Sequence, residues 1–580
     1  MEHLIKFWPI LKRLLIYIIP YKKKLIFASL FLLSSSIAEV LGPVLINFFI
    51  KNIIVKNNSN IQFILTFIFI FIILQIISVF LNYFQSILFN EISIKVINQL
   101  RKNVIKNTLC QPMNYFDTQP VGHILSKITN DTEVIKELYD TVIPNLFKNT
   151  TLMLIILFTM FTLEWHMAIV AGLMFPLVII IMSLYQYYST PFLRKMRSYN
   201  AIINNRFNES IKGINIIQQF RQQYRFQKEI KKISNLHYIE RIKILKLDSF
   251  LLRPLLSLIS SLVLCAFIFI FSSIPTGIFE IGILYAFITY LNRLNEPLIS
   301  LTIQQSILQQ AIVSGERVFN LLDSPIQKYG DNKIHLNSGE IKINNLSFFY
   351  KNNKKNILNN INLNIPSKSF FAFVGHTGCG KSTLANLLMG FYPIQKGQIY
   401  LDNKPINSIS HKILRKDILM VEQNPIILSD TFFQNITLGK EISEKHVWKI
   451  LNTVYLTSLV KSMPKGIYSI LGEEGNTLSI GQKQLLSIAR ILVTHPKILI
   501  LDEATANIDS ETEKKIQKTL LSIRKYSTLV VIAHRMSTII KADCIIVLDQ
   551  GRIIEYGNHY ELIEKRGFYW KMFKFQSYYL

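Results

Sequence analysis

The sequence is short of acid, short of cysteine and, through long stretches of its first half, short of charge of any kind. Thirty-seven Asp and Glu face 64 Lys and Arg, a formal net charge of +27 over 580 residues. An acid deficit on this scale invites a nucleic-acid reading. Yet half of the residues are hydrophobic and the mean hydropathy is +0.29, more apolar than soluble nucleic-acid binders. The four cysteines, Cys110, Cys265, Cys379 and Cys544, are scattered without a C-x-x-C spacing. That excludes a disulfide framework and a zinc knuckle. The start lacks the pattern of a cleavable leader: residues 1–24 are basic throughout, with no short apolar core followed by a small-residue cleavage site. The first apolar stretch is therefore expected to stay as an anchor.

The apolar residues concentrate in the first 300 positions. Residues 61–81 read IQFILTFIFIFIILQIISVFL without a charge, about the length that crosses a ~30 Å hydrocarbon layer. Six spans are expected, near 25–50, 61–84, 141–163, 167–188, 250–272 and 276–298, the last the weakest. A soluble core does not need several uninterrupted runs of about 20 apolar residues. Lys and Arg number six in 1–24, six in 90–140 and thirteen in 189–247, whereas the intervening loops are poor in them. This alternation places both ends in the cytoplasm. The three segments carry 25 basic and 10 acidic residues, and their net +15 equals that of residues 1–330 as a whole. The positive excess of the membrane half thus reads as a topology signal. Both long loops keep helical periodicity, as in Ile92, Val96, Ile97, Leu100, Val104 and Ile105, so helices are expected to continue beyond the bilayer.

Beyond Asn320 the character changes. Leu321-Leu322-Asp323-Ser324-Pro325 ends the helical pattern, and 327–339 is polar with two glycines. The expected domains are a cytoplasmic segment 1–24, an all-α six-helix transmembrane domain 25–310, a linker 311–340 and an α/β domain 341–575. In the last, brief apolar runs (370–374, 498–501, 529–533) have the character of strands buried on both faces. The first run leads into Gly375, His376, Thr377, Gly378, Cys379, Gly380, Lys381 and Ser382, which fit G-x-x-x-x-G-K-[ST], with Thr383 opening a helix. The glycines let backbone N–H groups close around phosphate oxygens, Lys381 reaches the β/γ-phosphates, and Ser382 offers a hydroxyl to Mg²⁺. The second run ends in Asp502-Glu503. Asp502 is expected to act on Mg²⁺ through water, and Glu503 to polarise the attacking water.

With these residues in place the chain resembles ATP-binding cassette (ABC) proteins over nearly its whole length. Leu478-Ser479-Ile480-Gly481-Gln482 is similar to their signature motif. Tyr350 resembles the aromatic residue that stacks on adenine, Gln423 the Q-loop glutamine that faces Mg²⁺, and Asp509, in Ala506-Asn507-Ile508-Asp509, the D-loop acid. His534 resembles the switch histidine at the γ-phosphate, and residues 472–475 the segment with which exporters sense the membrane domain. Ile480 departs from the commonest signature, which has Gly there, and Asn507 and Ile508 depart from the usual D-loop pattern. The first half resembles the six-helix exporter type: Tyr115, Phe116 and Asp117, then Gly122, Leu125, Ser126, Asn130 and Asp131, are similar to the first cytoplasmic loop, whose transverse helix docks on the cassette. Residues 209–220 resemble the second such loop.

The resemblance implies an ATP-hydrolysing exporter of amphipathic compounds in a bacterial inner membrane, with ATP and Mg²⁺ as cofactors. In the family each ATP lies between the phosphate loop of one cassette and the signature of another. One cassette and six spans therefore imply a second half-transporter, in a heterodimer or a homodimer. A lipid or lipid A flippase of the same architecture is the neighbouring reading. A soluble ABC ATPase acting on nucleic acid or ribosomes is the distant one, and the spans argue against it. Glu39, mid-span by count, and Arg293 with Glu296 near the end of the last span are candidates for the substrate path.

Overall fold

The computed structural model describes the chain except for residues 1, 56–60, 274–280, 328, 334, 351–355, 503–507, 533–538 and 578–580. Two compact units emerge: Met1–Cys110 with Gln119–Ser324, and Gln111–Thr118 with Pro325–Leu580.

The first unit is helical throughout its described residues. Its longest rod, Ile61–Leu109, has 49 residues, or about 70 Å at 1.5 Å per residue. Two different surfaces share this rod. Near its start Leu65, Phe69, Ile76 and Phe80 are all exposed, which suits a helix solvated by lipid. Farther on, Ile92, Val96, Ile97, Leu100 and Val104 are buried at helical spacing, an amphipathic face packed against its neighbours. The long basic segments between the apolar runs are thus continuous helix, here and in Met174–Lys212 and Gln223–Leu247. The bundle interior gathers Val40, Ile156, Met160, Met174, Phe267 and Phe287. Tyr290 is buried there with its hydroxyl satisfied by the Val40 carbonyl at 2.7 Å.

Among the described residues, five helical stretches are long and apolar enough to cross a membrane: Ile19–Asn52, Ile61–Leu109, Val121–Leu163, Trp165–Lys212 and Gln223–Ile270. The sixth expected span, 276–298, starts in residues outside the described set. It continues as the first part of Ile281–Leu322, where Asn292, Arg293, Asn295 and Glu296 dilute the apolar run. That helix runs on to Leu322, so the first residues of the stretch expected as linker are helical. They are held by packing: Val318, Phe319 and Leu321 are buried.

The second unit carries two sheets. β1 (Ile341–Phe348), β2 (Leu358–Ile365), β4 (Lys396–Leu401) and β5 (Lys404–Pro405) form an antiparallel sheet in the order β2-β1-β4-β5. The other sheet uses β3 (Phe370–Val374), β6 (Ile418–Val421), β7 (Ile498–Asp502), β8 (Thr528–Ile532), β9 (Cys544–Asp549) and β10 (Arg552–Gly557), in the order β10-β9-β3-β8-β7-β6. Only β10 is antiparallel to its neighbour. Every residue of β3 and β8 is buried, as parallel strands covered on both faces require. The first strand is tied to the β4–β5 turn by one carboxylate. Asp402 accepts hydrogen bonds from the backbone N–H groups of Asn337, Ser338, Gly339 and Glu340 and from the Ser338 hydroxyl. Because β3, β6, β7 and β8 point the same way, the loops after them gather along one rim of the sheet.

Candidate functional site

The rim after β3 carries the glycine-rich loop. Gly380 caps the following helix, Lys381–Leu388, in a left-handed conformation at φ +108°, which a side chain rarely tolerates. A Cβ at that position would also meet Leu358 Cδ2 at 2.7 Å. Lys381 is buried, and its ammonium donates to the carbonyls of Gly375 and His376 at 2.8 and 3.0 Å. The loop thereby holds a cation over its own mouth, beside the N-terminus of a helix, an arrangement complementary to phosphate. Cys379 is buried with Sγ 3.7 Å from the same ammonium, packed as a small core residue.

Ser382 opens the helix and Asp502 closes β7. Their side chains meet with Oγ–Oδ1 at 3.4 Å, although 120 residues separate them in sequence. A cavity of about 650 Å³ lies over this pair, lined by Thr377, Gly378, Lys381, Ser382, Gln423 and Asp502. Gly380, Thr383, Ile357 and Ile532 complete its wall. Gln423 follows β6, so three strand ends of the parallel sheet contribute to one site. A hydroxyl, a carboxylate and an amide carbonyl are hard oxygen donors and suit Mg²⁺, which keeps several waters and takes few protein ligands. Ser382, Gln423 and Asp502 therefore fit the ion that the sequence implies.

Tyr350 lies at one side of this region, half-buried, with its rings edge-on to Phe348 and Tyr392 at centroid distances of 5.1 and 5.2 Å. Its hydroxyl reaches Thr383 Oγ1 at 3.4 Å. Tyr392 in turn donates to Asp117 Oδ2 at 2.5 Å. Asp117 belongs to the short helix Met113–Thr118, which clusters with the second unit. Burial and the Asp117 carboxylate push the Tyr392 phenol well above its usual pKa, so it remains a donor.

The signature residues build a helix start. Ser479 is the N-cap of Ile480–Leu492; its hydroxyl accepts from the Gln482 N–H, and the Gln482 side chain accepts from the Ser479 N–H. This reciprocal capping box satisfies two terminal donors. Gly481 permits close packing: a Cβ there would lie 2.7 Å from Thr512 Cγ2. Leu478 is buried, whereas Ile480 is 49% exposed. The departure from the commoner glycine therefore puts a side chain at the surface and displaces nothing inside. Asp509 caps the neighbouring helix, Ser510–Ile523, through the Thr512 N–H at 2.8 Å. Those hydrogen bonds hold its carboxyl below the ordinary range. None of Leu478, Ser479, Ile480, Gly481 and Gln482 lines the cavity at the phosphate loop.

Glu503 and His534 lie outside the described residues, as do Ala506 and Asn507. In the helical unit Arg293 donates to the backbone carbonyl of Glu39 at 2.6 Å, while Glu296 is exposed. Two of the three candidates for the substrate path thus meet across helices. Sequence reasoning passed over Tyr392, Gln484 and Arg490. Gln484 and Arg490 carried a usable signal, because both are polar within the apolar run Leu485, Leu486, Ile488, Ala489, Ile491 of a helix that had to be buried.

Comparison with known proteins agrees with this architecture. The family model for the ABC transporter transmembrane region matches residues 25–298, and that for the ABC transporter matches residues 358–506. A "Multidrug resistance-like ATP-binding protein MdlB" from Buchnera aphidicola subsp. Schizaphis graminum is 67% identical over 576 residues, 99% of both chains. An "ATP-dependent lipid A-core flippase" from Wigglesworthia glossinidia brevipalpis is 32% identical over 98% of both. The solved structure of a bacterial Atm1-family ABC exporter with ATP bound superposes with a TM-score of 0.81, covering 96% of this chain and 98% of that one. Its identity is 24%, a likeness of fold. A transmembrane helical region and a phosphate-loop domain on one polypeptide, matched along their full length, show that the chain belongs to the ABC transporter family.

Proposed function

We propose that this chain is one half of a dimeric ABC exporter, which uses ATP hydrolysis to move drugs or other amphipathic small molecules across the bacterial inner membrane. One observation carries the dimer: the phosphate loop, Gln423 and Asp502 share a cavity to which the chain's own signature contributes no residue. A second cassette must supply it, and a two-fold or pseudo-two-fold pair satisfies both copies at once. The partner is an MdlA-like half-transporter in a heterodimer, with a homodimer as the alternative. Both chain ends lie in the cytoplasm, where the basic segments belong.

In this reading the loop residues from Gly375 to Thr383 bind the phosphates of ATP, and Tyr350 meets the adenine. Ser382, Gln423 and Asp502 would hold Mg²⁺, which would supply positive charge to the phosphates. Glu503 orients the attacking water, His534 contacts the γ-phosphate, and Asp509 lies toward the partner. The Asp117–Tyr392 hydrogen bond, one residue removed from Tyr350, gives the first cytoplasmic loop a direct hold on the nucleotide side of the cassette. Closure of two cassettes turns the bundle outward, and hydrolysis resets it.

The multidrug-resistance-like relatives favour amphipathic drugs as cargo; the less similar flippase relative supports lipid or lipid A as the second reading. Glu39, Arg293 and Glu296 are proposed to line the path. Reconstitution into liposomes with and without an MdlA-like half separates the cases. The exporter reading expects dye-stimulated ATPase and dye efflux that are lost in Glu503→Gln, with ATP binding kept. Stimulation by lipid A and not by dyes would turn the assignment to the flippase. Full transport by this chain alone would replace the heterodimer with a homodimer.

A further inference from the structure

We propose that Gln484 is a positioning residue that sets the orientation of Gln423 and ties it to the signature helix; the proposal rests on the nucleotide-site reading above. Gln484 is 1% exposed and lies one turn inside Ile480–Leu492, the helix whose N-cap is the signature serine. Its Nε2 donates to two consecutive carbonyls, those of Glu422 at 3.1 Å and Gln423 at 2.7 Å. These two carbonyls belong to the peptide planes on either side of the Gln423 Cα. Each plane is rigid, so tethering both restricts φ and ψ of Gln423 and with them the direction in which its side chain leaves the backbone.

The same helix grips the segment again farther along. Arg490 donates from Nη1 to the Ile426 carbonyl at 2.7 Å, and from Nε and Nη2 to the carbonyl and Oδ1 of the fully buried Asn435 at 2.8 and 2.6 Å. Asn435 Oδ1 also accepts from the Leu428 N–H, and its Nδ2 donates to the carbonyls of Leu428, Asp430 and Thr431. The strip that follows β6 is therefore bonded to the signature helix at both ends.

The arrangement carries a cost that packing does not explain. Both N–H groups of the Gln484 amide are used, and Oε1 is buried with no donor. A buried acceptor left unmatched destabilises the fold, a cost set against the two hydrogen bonds that the amide gives the Glu422 and Gln423 carbonyls. What the amide provides in exchange is directional control of Gln423. Since the N-terminus of this helix is the motif expected to meet ATP on the partner, movement of the signature is passed through a single helical turn to the metal-facing glutamine of this chain's own site. Gln484 touches neither nucleotide nor metal and acts only through Gln423.

The test uses the complete transporter, reconstituted with its second half, and compares wild type with Gln484→Met, which keeps the length and removes both donors. Three readouts are needed: the Mg²⁺ concentration for half-maximal ATPase, ATP affinity without Mg²⁺, and amide hydrogen exchange across residues 422–426 in the nucleotide-free protein. The proposal expects the Mg²⁺ requirement to rise about tenfold, the range seen when a residue supporting a metal ligand is removed. Exchange over 422–426 rises about tenfold as well, whereas ATP affinity stays within about twofold. Gln484→Asn, whose amide is one methylene too short, gives the same pattern more weakly and serves if the Met variant does not fold. Unchanged Mg²⁺ dependence and exchange would overturn the proposal. So would a parallel fall of ATP affinity, thermal midpoint and rate, because that is the signature of a structural residue. A wild-type protein that binds no ATP would overturn the nucleotide-site reading itself, a result distinct from either.

Discussion

The phosphate loop and the signature are built from the same materials, glycines and a helix N-terminus, yet they solve opposite problems. The loop is enclosed by its own domain: Lys381 is buried and bonded to loop carbonyls, and Ser382 already faces Asp502 across the sheet rim. The signature is finished only as a helix start. Its capping box is complete, its inner face is packed, and Ile480 projects outward. In the proposed reading one element binds with what its own chain provides, and the other is a surface prepared for another chain's nucleotide. Self-sufficiency of one and incompleteness of the other in a single domain is what a half-transporter requires.

The largest effect that would sharpen this contrast is at Lys381. Lys381→Met removes the cation preorganised for the phosphates and lowers ATPase by about a thousandfold; phosphate release measures it, and ATP binding to this chain weakens in parallel. Ser479→Arg at the signature should behave differently. Hydrolysis falls about a hundredfold, but ATP binding to this chain, followed by a fluorescent analogue, stays unchanged because the damaged surface faces the partner's site. If both variants lost binding equally, the contrast would fail.

Next in size is a packing effect within the signature. Gly481→Val forces a side chain against Thr512 and costs about 2 kcal/mol of stability, as overpacking does. Ile480→Gly changes only an exposed position and costs about half a kcal/mol or less by helix propensity. Thermal denaturation of the cassette distinguishes them, and equal losses would show that Ile480 packs on something.

An effect smaller than that of Gly481→Val lies in neither motif. Burial alone would raise the Asp402 carboxyl, but the side-chain and backbone hydrogen bonds from Ser338, with those from Glu340 and Gly339, outweigh it and hold the group below its usual range. A folded-state pKa below the unfolded value means that this stabilisation is complete above about pH 4 and disappears as the pH falls through the folded value. Asp402→Asn should therefore flatten the acid side of the stability–pH curve and cost about 1 kcal/mol near neutrality, a small loss because the carboxylate is partly exposed and screened. The nucleotide site keeps its activity. A variant with an unchanged acid limb would contradict the assignment.

Much of this architecture was legible in the sequence for definite physical reasons. Glycine spacing and the Lys381-Ser382 pair identify the loop because close backbone approach to phosphate leaves few alternatives. Asp502 is marked by the apolar strand before it. The continuation of the long helix past its apolar run could be read from Ile92, Val96, Leu100 and Val104, since burial on one face imposes its own period. The residues that escaped are those whose role depends on contacts distant in sequence. Nothing local distinguishes Tyr392 from any core tyrosine; its significance comes from Asp117, 275 positions earlier. Gln484 reads as a polar interruption of an apolar helix until Glu422 and Gln423 are seen opposite it. Depth by count marks Arg293 and Glu39, and the bond that joins them uses a backbone carbonyl, which no side-chain pattern discloses.

One copy of this chain is proposed to hold a nucleotide site that it cannot complete. The most direct measurement is ATPase in lipid nanodiscs sorted by content, with one copy of this chain against one copy plus a second half-transporter. Single copies should bind ATP but hydrolyse it at no more than background, and hydrolysis should appear only with the second half. Full-rate hydrolysis by discs that hold a single copy would contradict it.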